Sequence, residues 1–440
     1  MKFVKMSLAA AMLMGASAYA IENVKVSGTA SLYYHTQDTS VVAGTDVPDL
    51  FDKGASNADI GFSLGATADL TPGVSAGVTA YGITTLGLEG TLVDGVWSNA
   101  HTAAANDASG FLVHSLGGTE VNDAYWVGEA WLAGTLGKTT AKIGRMALDT
   151  PLAFTETWGI APNTFEAAVL LNQDIPGTTL VAAYVGKYNG GGAGDSATSA
   201  GLNGLNGVLY PSSIVALTGI MAPEGEFHSF YDSGAYVVGA INNSFEPLTV
   251  QGWYYDIQSV AEAYWLQADL NIAGFMAGAQ YTNIEVNLAA GLPDDEAYAL
   301  MLGYALKDVA TFKVAYSEVD DRGVLGVGNV ATTTGQSKLY TELWWNFGAA
   351  QTGAKTFALT ADANLGGVDL FAGYWDVDVE PAGIGNDSEI NEYVITAGKS
   401  FGPLDATLAL IYDEYDAEGG LGAGEIEDVT ALQVYLTYNF

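Results

Sequence analysis

Between Ile60 and Leu70 every second residue is apolar: Ile60, Phe62, Leu64, Ala66, Ala68 and Leu70 alternate with Gly61, Ser63, Gly65, Thr67 and Asp69. A repeat of two is the period of a β-strand whose faces meet different surroundings, and a helical period near 3.6 does not fit these positions. The same texture recurs at both ends of the chain. Val24, Val26, Ala30, Leu32 and Tyr34 alternate with Lys25, Ser27, Thr29, Ser31 and Tyr33. Leu432, Val434, Leu436, Tyr438 and Phe440 alternate with Gln433, Tyr435, Thr437 and Asn439. Tight segments with turn chemistry separate the strands, among them Thr71-Pro72-Gly73, Gly137-Lys138, Gly366-Gly367 and Gly402-Pro403. Between them lie long connections, near residues 36–56, 86–123, 146–164, 189–233 and 320–354.

Short turns on one rim and long loops on the other predict a transmembrane β-barrel with periplasmic turns and external loops. Reading every alternating segment as a strand gives nineteen, residues 338–345 among them. A single-chain bacterial barrel has an even number of strands and both termini on the periplasmic side. If residues 338–345 crossed, the tight turn at Gly366-Gly367 would fall on the long-loop rim. That segment is therefore expected inside a long external loop. The fold expected is all-β, an antiparallel barrel of 18 strands, with 16 as the alternative count.

Composition agrees with a barrel. Hydrophobic residues make up 49% of the chain and mean hydropathy is +0.20. Past the N-terminus, however, no apolar run reaches the ~20 residues of a spanning helix. Lys2 and Lys5, the apolar run over residues 6–16 and Ala18-Tyr19-Ala20 read as a cleaved export signal over residues 1–20, leaving residues 21–440 for the barrel. The chain holds 14 Lys and Arg against 50 Asp and Glu, a net charge of −36. Such a balance disfavours nucleic-acid binding, which needs a basic footprint. Cysteine is absent, which removes disulfides and thiolate chemistry.

Candidate lumen residues follow from alternation, because a charge facing lipid is costly. Lys142, Glu129, Asp269 and Lys313 fall on polar faces and are expected on the pore wall, as is Arg145, which precedes a loop at residues 146–164. That loop holds Asp149, Glu156 and Asn163 between Pro151 and Pro162, a stiff polar segment suited to a pore constriction. Lys142 and Arg145 could face its carboxylates across the pore. Asp376, Asp378 and Glu380 faintly echo a calcium loop, although Pro381 stands where its glycine would be. Ca²⁺ is the one cofactor suggested. His35, His101, His114 and His228 show no metalloprotease spacing, and no Gly-x-Ser-x-Gly elbow is present, so no catalytic residue is assigned. Aromatic pairs such as Tyr125-Trp126, Trp253-Tyr254, Tyr264-Trp265 and Tyr374-Trp375 are expected in girdles at headgroup depth. The chain ends on Tyr438 and Phe440, expected as a lipid-facing closing strand.

The stretch Gly144-Arg145-Met146-Ala147-Leu148-Asp149-Thr150-Pro151-Leu152, with Ala161-Pro162-Asn163-Thr164-Phe165-Glu166-Ala167, resembles the Opr-family porins. These include the campylobacter-type major outer membrane protein and the outer-membrane carboxylate channels. The start Lys2-Phe3-Val4-Lys5-Met6-Ser7-Leu8 and residues 336–345 are similar to that family too. The resemblance implies an 18-stranded barrel, usually trimeric, whose third external loop folds inward; here that is residues 146–164. It also implies that the assembly machinery reads the strand ending in Tyr438 and Phe440. The carboxylate channels carry a ladder of basic residues, and this chain departs from that. Without Lys2 and Lys5 only 12 of its 14 basic residues remain, in no regular series.

The expectation is therefore a passive, cation-preferring porin of the cell outer membrane for small hydrophilic solutes, not an enzyme. Its expected partners are the lipid bilayer, lipopolysaccharide, the barrel assembly machinery and two further copies in a homotrimer. The alternative is a surface-exposed cation-binding structural or adhesion protein.

Overall fold

The computed structural model describes residues 21–41, 47–98, 100–103, 121–190, 220–231, 233–287, 291–323, 325–332, 335–346, 348–380, 387–417 and 426–440. The export signal expected over residues 1–20 lies outside them, as does His114. One sheet holds 20 strands, two of which, Gly95–Val96 and His228–Ser229, are two-residue additions. The other eighteen form the wall: β1 (Glu22–Val41), β2 (Ser56–Thr71), β3 (Val74–Thr84), β4 (Ala124–Leu136), β5 (Thr139–Met146), β6 (Phe165–Asn172), β7 (Thr178–Tyr188), β8 (Ala235–Phe245), β9 (Leu248–Ile257), β10 (Ala261–Ile272), β11 (Phe275–Val286), β12 (Asp295–Leu306), β13 (Ala310–Val319), β14 (Ala354–Leu365), β15 (Val368–Val379), β16 (Ser388–Phe401), β17 (Leu404–Ala417) and β18 (Ile426–Asn439). Each pairs antiparallel with its neighbour in sequence. β18 returns to β1 in a register running from Thr29↔Asn439 to Val41↔Ile426. Closure leaves the wall without a free edge, so its backbone polar groups are satisfied where no water is available.

The count of 18 follows the expectation, and residues 338–345 are not a wall strand. They lie within residues 320–353, which fold into the lumen rather than outward. The connection expected from residue 36 begins later, because β1 continues to Val41. The turns expected from sequence lie on one rim, with both ends of the described chain, while the opposite rim carries the long connections and one short turn, residues 258–260. At the Gly366-Gly367 turn both residues have positive φ, +61° and +78°, as a two-residue hairpin of the primed type requires.

Alternation sorts the faces. Leu266, Leu300, Leu302, Ile395, Leu408 and Leu410 point outward, between 47% and 63% exposed on the isolated chain, and form an apolar band for lipid. The aromatic pairs split, which corrects the girdle expectation. Tyr125, Tyr254 and Tyr264 face out, while their neighbours Trp126, Trp253 and Trp265 are buried on the inner face. Trp375 is likewise buried beside outward Tyr374. Outward tyrosines neighbour one another around the wall, as in Tyr374, Tyr393 and Tyr412. This belt carries hydroxyls at the boundary between lipid and water. At the closing seam the Gly28 and Phe440 backbones exchange hydrogen bonds of 2.9 and 3.0 Å. The Phe440 ring covers Gly28, where a Cβ would come within 2.5 Å of it.

Inside, the long-loop half of the barrel is packed. Wall residues such as Tyr255, Trp265, Ile284, Val377 and Ile390 share one buried cluster with loop residues Leu152, Val330, Leu339, Leu343 and Trp345.

Candidate functional site

Two loops meet inside the lumen. The first, residues 147–164, leaves β5 and crosses the interior. The backbone N–H of Leu152 donates to the Tyr255 hydroxyl on β9 (3.3 Å), and at its far end Ile160 lies against Gly61 on β2. A Cβ at Gly61 would sit 2.7 Å from Ile160, so the glycine permits the approach. The second, residues 320–353, joins β13 to β14. Gln280 donates to Lys338 O (2.8 Å) and accepts from the Tyr340 N–H (3.1 Å), and the Tyr340 hydroxyl donates to Asp269. Further along, Glu392 on β16 accepts the backbone N–H groups of Trp344, Trp345 and Asn346.

The loops grip one another through Asn329 and Glu156. Asn329 accepts from the Phe154 N–H (3.1 Å) and donates to Phe154 O and to Glu156 Oε1, both at 2.9 Å. Glu156 also accepts from the Thr332 hydroxyl and from the Trp158 indole N–H (3.0 Å). Asn163 closes the first loop on itself, accepting from the Glu156 N–H (2.7 Å) and donating to Phe154 O (3.3 Å). Every polar atom of this clamp has a partner within the protein, as burial demands. Behind it, Glu342 is half-buried, with one carboxyl oxygen enclosed and unpartnered. Burial pushes its carboxyl up to about 8; hydrogen bonds from Ser337 oppose the rise, and the negative neighbours Glu156 and Glu392 add to it.

A third connection adds Trp97 and His101 to the packing. His101 binds Asp59 at 2.6 Å, both side chains fully buried, and Ser98 N–H donates to the same carboxylate (3.0 Å). Burial alone would lower the His101 pKa, but Asp59 outweighs it and the net shift is upward.

What the loops leave open is narrow and aromatic. A cavity of about 550 Å³ is framed by Tyr33 and Tyr435 from the wall, Trp158 from the first loop, and Trp344 and Trp345 from the second. Thr157, Gln336, Leu343, Asp405, Thr407 and Thr437 complete its lining, so Asp405 is its one charged group among the described residues. Trp344, Asp405 and Thr407 also border a wider space of about 950 Å³ toward the short-turn rim, where Asp362 and Asp369 face the lumen.

The residues singled out from sequence separate into groups. Glu129, Lys142, Asp269 and Lys313 lie at inward positions; Lys142 rests over the Trp131 ring (4.3 Å) and Asp269 is capped by Tyr340. Arg145 is a correction. It shares its parity with outward Ile143 and pairs outside with Glu166 (3.0 Å), so neither it nor Lys142 faces the loop's carboxylates. Asp149 is exposed and paired with Lys338 (2.9 Å). Glu156 and Asn163 are buried in the clamp, which corrects their expected place on the water-filled path. Asp376 and Asp378 lie on the outer face of a regular strand, not in a chelating loop, and Glu380 is paired with Lys355. Among the described residues no three such groups converge on a possible metal position. Tyr438 and Phe440 face outward at the closing seam.

The sequence reading missed Asn329, Tyr340, Glu392 and the tryptophans of the second loop. One signal was present. In the long-loop halves of β9–β16 several inward positions are large and apolar, Trp253, Trp265, Val377 and Ile390 among them, interspersed with polar Thr282, Ser317, Thr356 and Glu392. Bulky apolar residues on the inner face of a barrel point to a filling that covers them.

Solved structures share this architecture. The chain is similar to Pseudomonas aeruginosa OccK3 (OpdO), with 13% identity and a TM-score of 0.65 over 95% of this chain and 96% of that one. It is similar to Acinetobacter baumannii OccAB4, with 12% identity and a TM-score of 0.66 over 96% and 99%. Pseudomonas aeruginosa OpdK, crystallised with vanillate, matches with 13% identity and a TM-score of 0.63 over 95% and 99%. Among curated protein sequences none matches the chain. The family model of Gram-negative porins matches residues 7–341, well over half of the chain. With its closed 18-stranded wall and internal loops, the chain belongs to the Gram-negative porins and is an outer-membrane channel for small solutes.

Proposed function

We propose that the channel passes cations in preference to anions, by passive diffusion and without a catalytic step. The observation that carries this reading is the lining of the aromatic cavity, which among the described residues holds Asp405 and no Lys or Arg. Toward the short-turn rim Asp308, Asp362 and Asp369 outnumber Lys307 and Lys399 around the wider space. Charges lining a constriction set ion preference, and low-dielectric walls focus their field. The net charge of −36 acts in the same direction over a longer range. The carboxyls first expected to do this, Asp149 and Glu156, are paired, so the passage relies on others. Export through a leader at residues 1–20, folding by the barrel assembly machinery and assembly as a homotrimer in lipid and lipopolysaccharide belong to the same proposal. The leader rests on the pattern of residues 1–20, the assembly machinery and the trimer on the family resemblance.

Reversal potentials across a planar bilayer in a KCl gradient test the preference. A value on the K⁺ side is expected. A value on the Cl⁻ side would mean that Lys142 and Lys313 govern permeation, and would overturn the reading.

A further inference from the structure

The aromatic passage has a more specific chemistry than a charge filter, and the following reading rests on the cation preference above. Its rings are fixed in place. Trp345 stacks on His35 (4.6 Å between centroids, 14° between planes) and Trp344 stacks on Phe371 (5.6 Å, 30°). Tyr33 and Tyr435 meet edge to face at 4.7 Å. Three of the five also donate to acceptors behind them: Trp158 to Glu156 (3.0 Å), Trp344 to Gln433 (3.3 Å) and Tyr435 to Gln433 (2.6 Å). An aromatic ring that donates its proton to a carboxylate or amide oxygen becomes richer in electrons on its face. Cations bind such faces through the ring quadrupole.

We propose that this cavity is a binding station for small organic cations carrying a primary or quaternary ammonium group. Hard inorganic ions need a shell of oxygen ligands, and the passage offers one carboxylate and scattered hydroxyls instead. Anions meet no positive group among the described lining residues. An ammonium solute approaches past Asp362, Asp369 and Asp405 and sheds water against π faces that compensate its charge. A volume of about 550 Å³ falls in the ~300–1,000 Å³ range of small-molecule sites. The site differs in kind from a basic ladder for carboxylates, because it selects on the opposite charge.

Choline chloride is the probe, added to the purified full chain in a planar bilayer carrying a K⁺ current. The expected result is concentration-dependent, saturable interruption of that current. Trp344→Leu and Trp158→Leu keep apolar volume and remove a π face. Each is expected to weaken the apparent choline affinity roughly two- to ten-fold, the size of one cation–π contact. Trp344→Phe, which keeps a ring, is expected to fall between Trp344→Leu and the wild type. K⁺ conductance in the same membrane verifies that each variant is inserted. Choline that lowers current only by its mobility, with no saturation in the wild-type channel, would overturn the proposal whatever the variants do. Equal interruption by glucose would also overturn it, in favour of a neutral ring platform. The KCl reversal potential separates the two failures. A Cl⁻-selective value sinks the cation preference itself, whereas a K⁺-selective channel indifferent to choline sinks this inference alone.

Discussion

Replacing Asn329 by alanine attacks the grip between the two internal loops while leaving the wall alone. Asn329 is 2% exposed, and its partners Phe154, Glu156 and Ala331 all belong to loops. The substitution leaves the N–H groups of Phe154 and Ala331 without their acceptor. Phe154 O keeps its bond from Asn163, and Glu156 keeps those from Trp158 and Thr332. Two orphaned buried donors cost about 1–3 kcal/mol each, roughly 2–6 kcal/mol together. Even the lower end raises the population of detached loops about 30-fold, since ~1.4 kcal/mol is a factor of ten. The assay is single-channel recording, with electrophoresis of unheated samples to verify that the barrel stays folded. Larger mean conductance and frequent sublevels are expected in a barrel that still runs as folded. A quiet channel of wild-type conductance would refute the reasoning, because it would show that this clamp does not hold the constriction.

Glu342 makes the seating of the second loop depend on pH. Its folded pKa of about 8 exceeds the usual 4.5, so the protonated form is favoured in place and the penalty for ionising it grows across that interval. The loop should be firmest near pH 5 and the current noisier near pH 9; Glu342→Gln should flatten this dependence in recordings at both values. His101→Ala would leave Asp59 buried with the Ser98 N–H as its partner, at a cost of about 3–5 kcal/mol. Proteolysis from the loop side should then cut residues 85–98 in the variant and spare them in the wild type. Gly28→Leu would drive a side chain into the Phe440 ring and Ser63 O at the closing seam. Overpacking of about 1–3 kcal/mol should lower the temperature at which the folded band disappears on electrophoresis.

The wall was legible because lipid and water impose opposite demands on successive residues, and Ile60 to Leu70 record that directly. Parity did the rest: keeping residues 338–345 out of the wall put Gly366-Gly367 on the correct rim. The interior was less legible. Glu156 and Asn163 are polar, and a polar residue in a loop reads the same whether it faces water or satisfies a buried partner. Their partners Asn329 and Thr332 lie on another loop, beyond any local pattern. Arg145 was misplaced because it was grouped by its nearness to the loop, while the alternation of Lys142, Ile143 and Gly144 put it outside. The tryptophans of Trp253-Tyr254 and Tyr264-Trp265 read as girdle residues because an indole beside a tyrosine near a strand end gives the same pattern whether it meets headgroups or a loop inside the lumen. The chemistry that sorts them is plain afterwards, with tyrosine hydroxyls outside at the interface and indoles inside against the loops.

The clamp between Glu156 and Asn329 joins positions 173 residues apart, on loops carried by separate parts of the wall, β5–β6 and β13–β14. Contacts of such separation are favourable only after intervening segments have been brought together. The intervening wall strands β6–β13 must stand in place first, around an interior still open to water. Seating of the loops comes afterwards and expels that water from the long-loop half. Acquisition of heat-resistant structure and acquisition of the final conductance are therefore two events in time, the second one a drying of the channel from within.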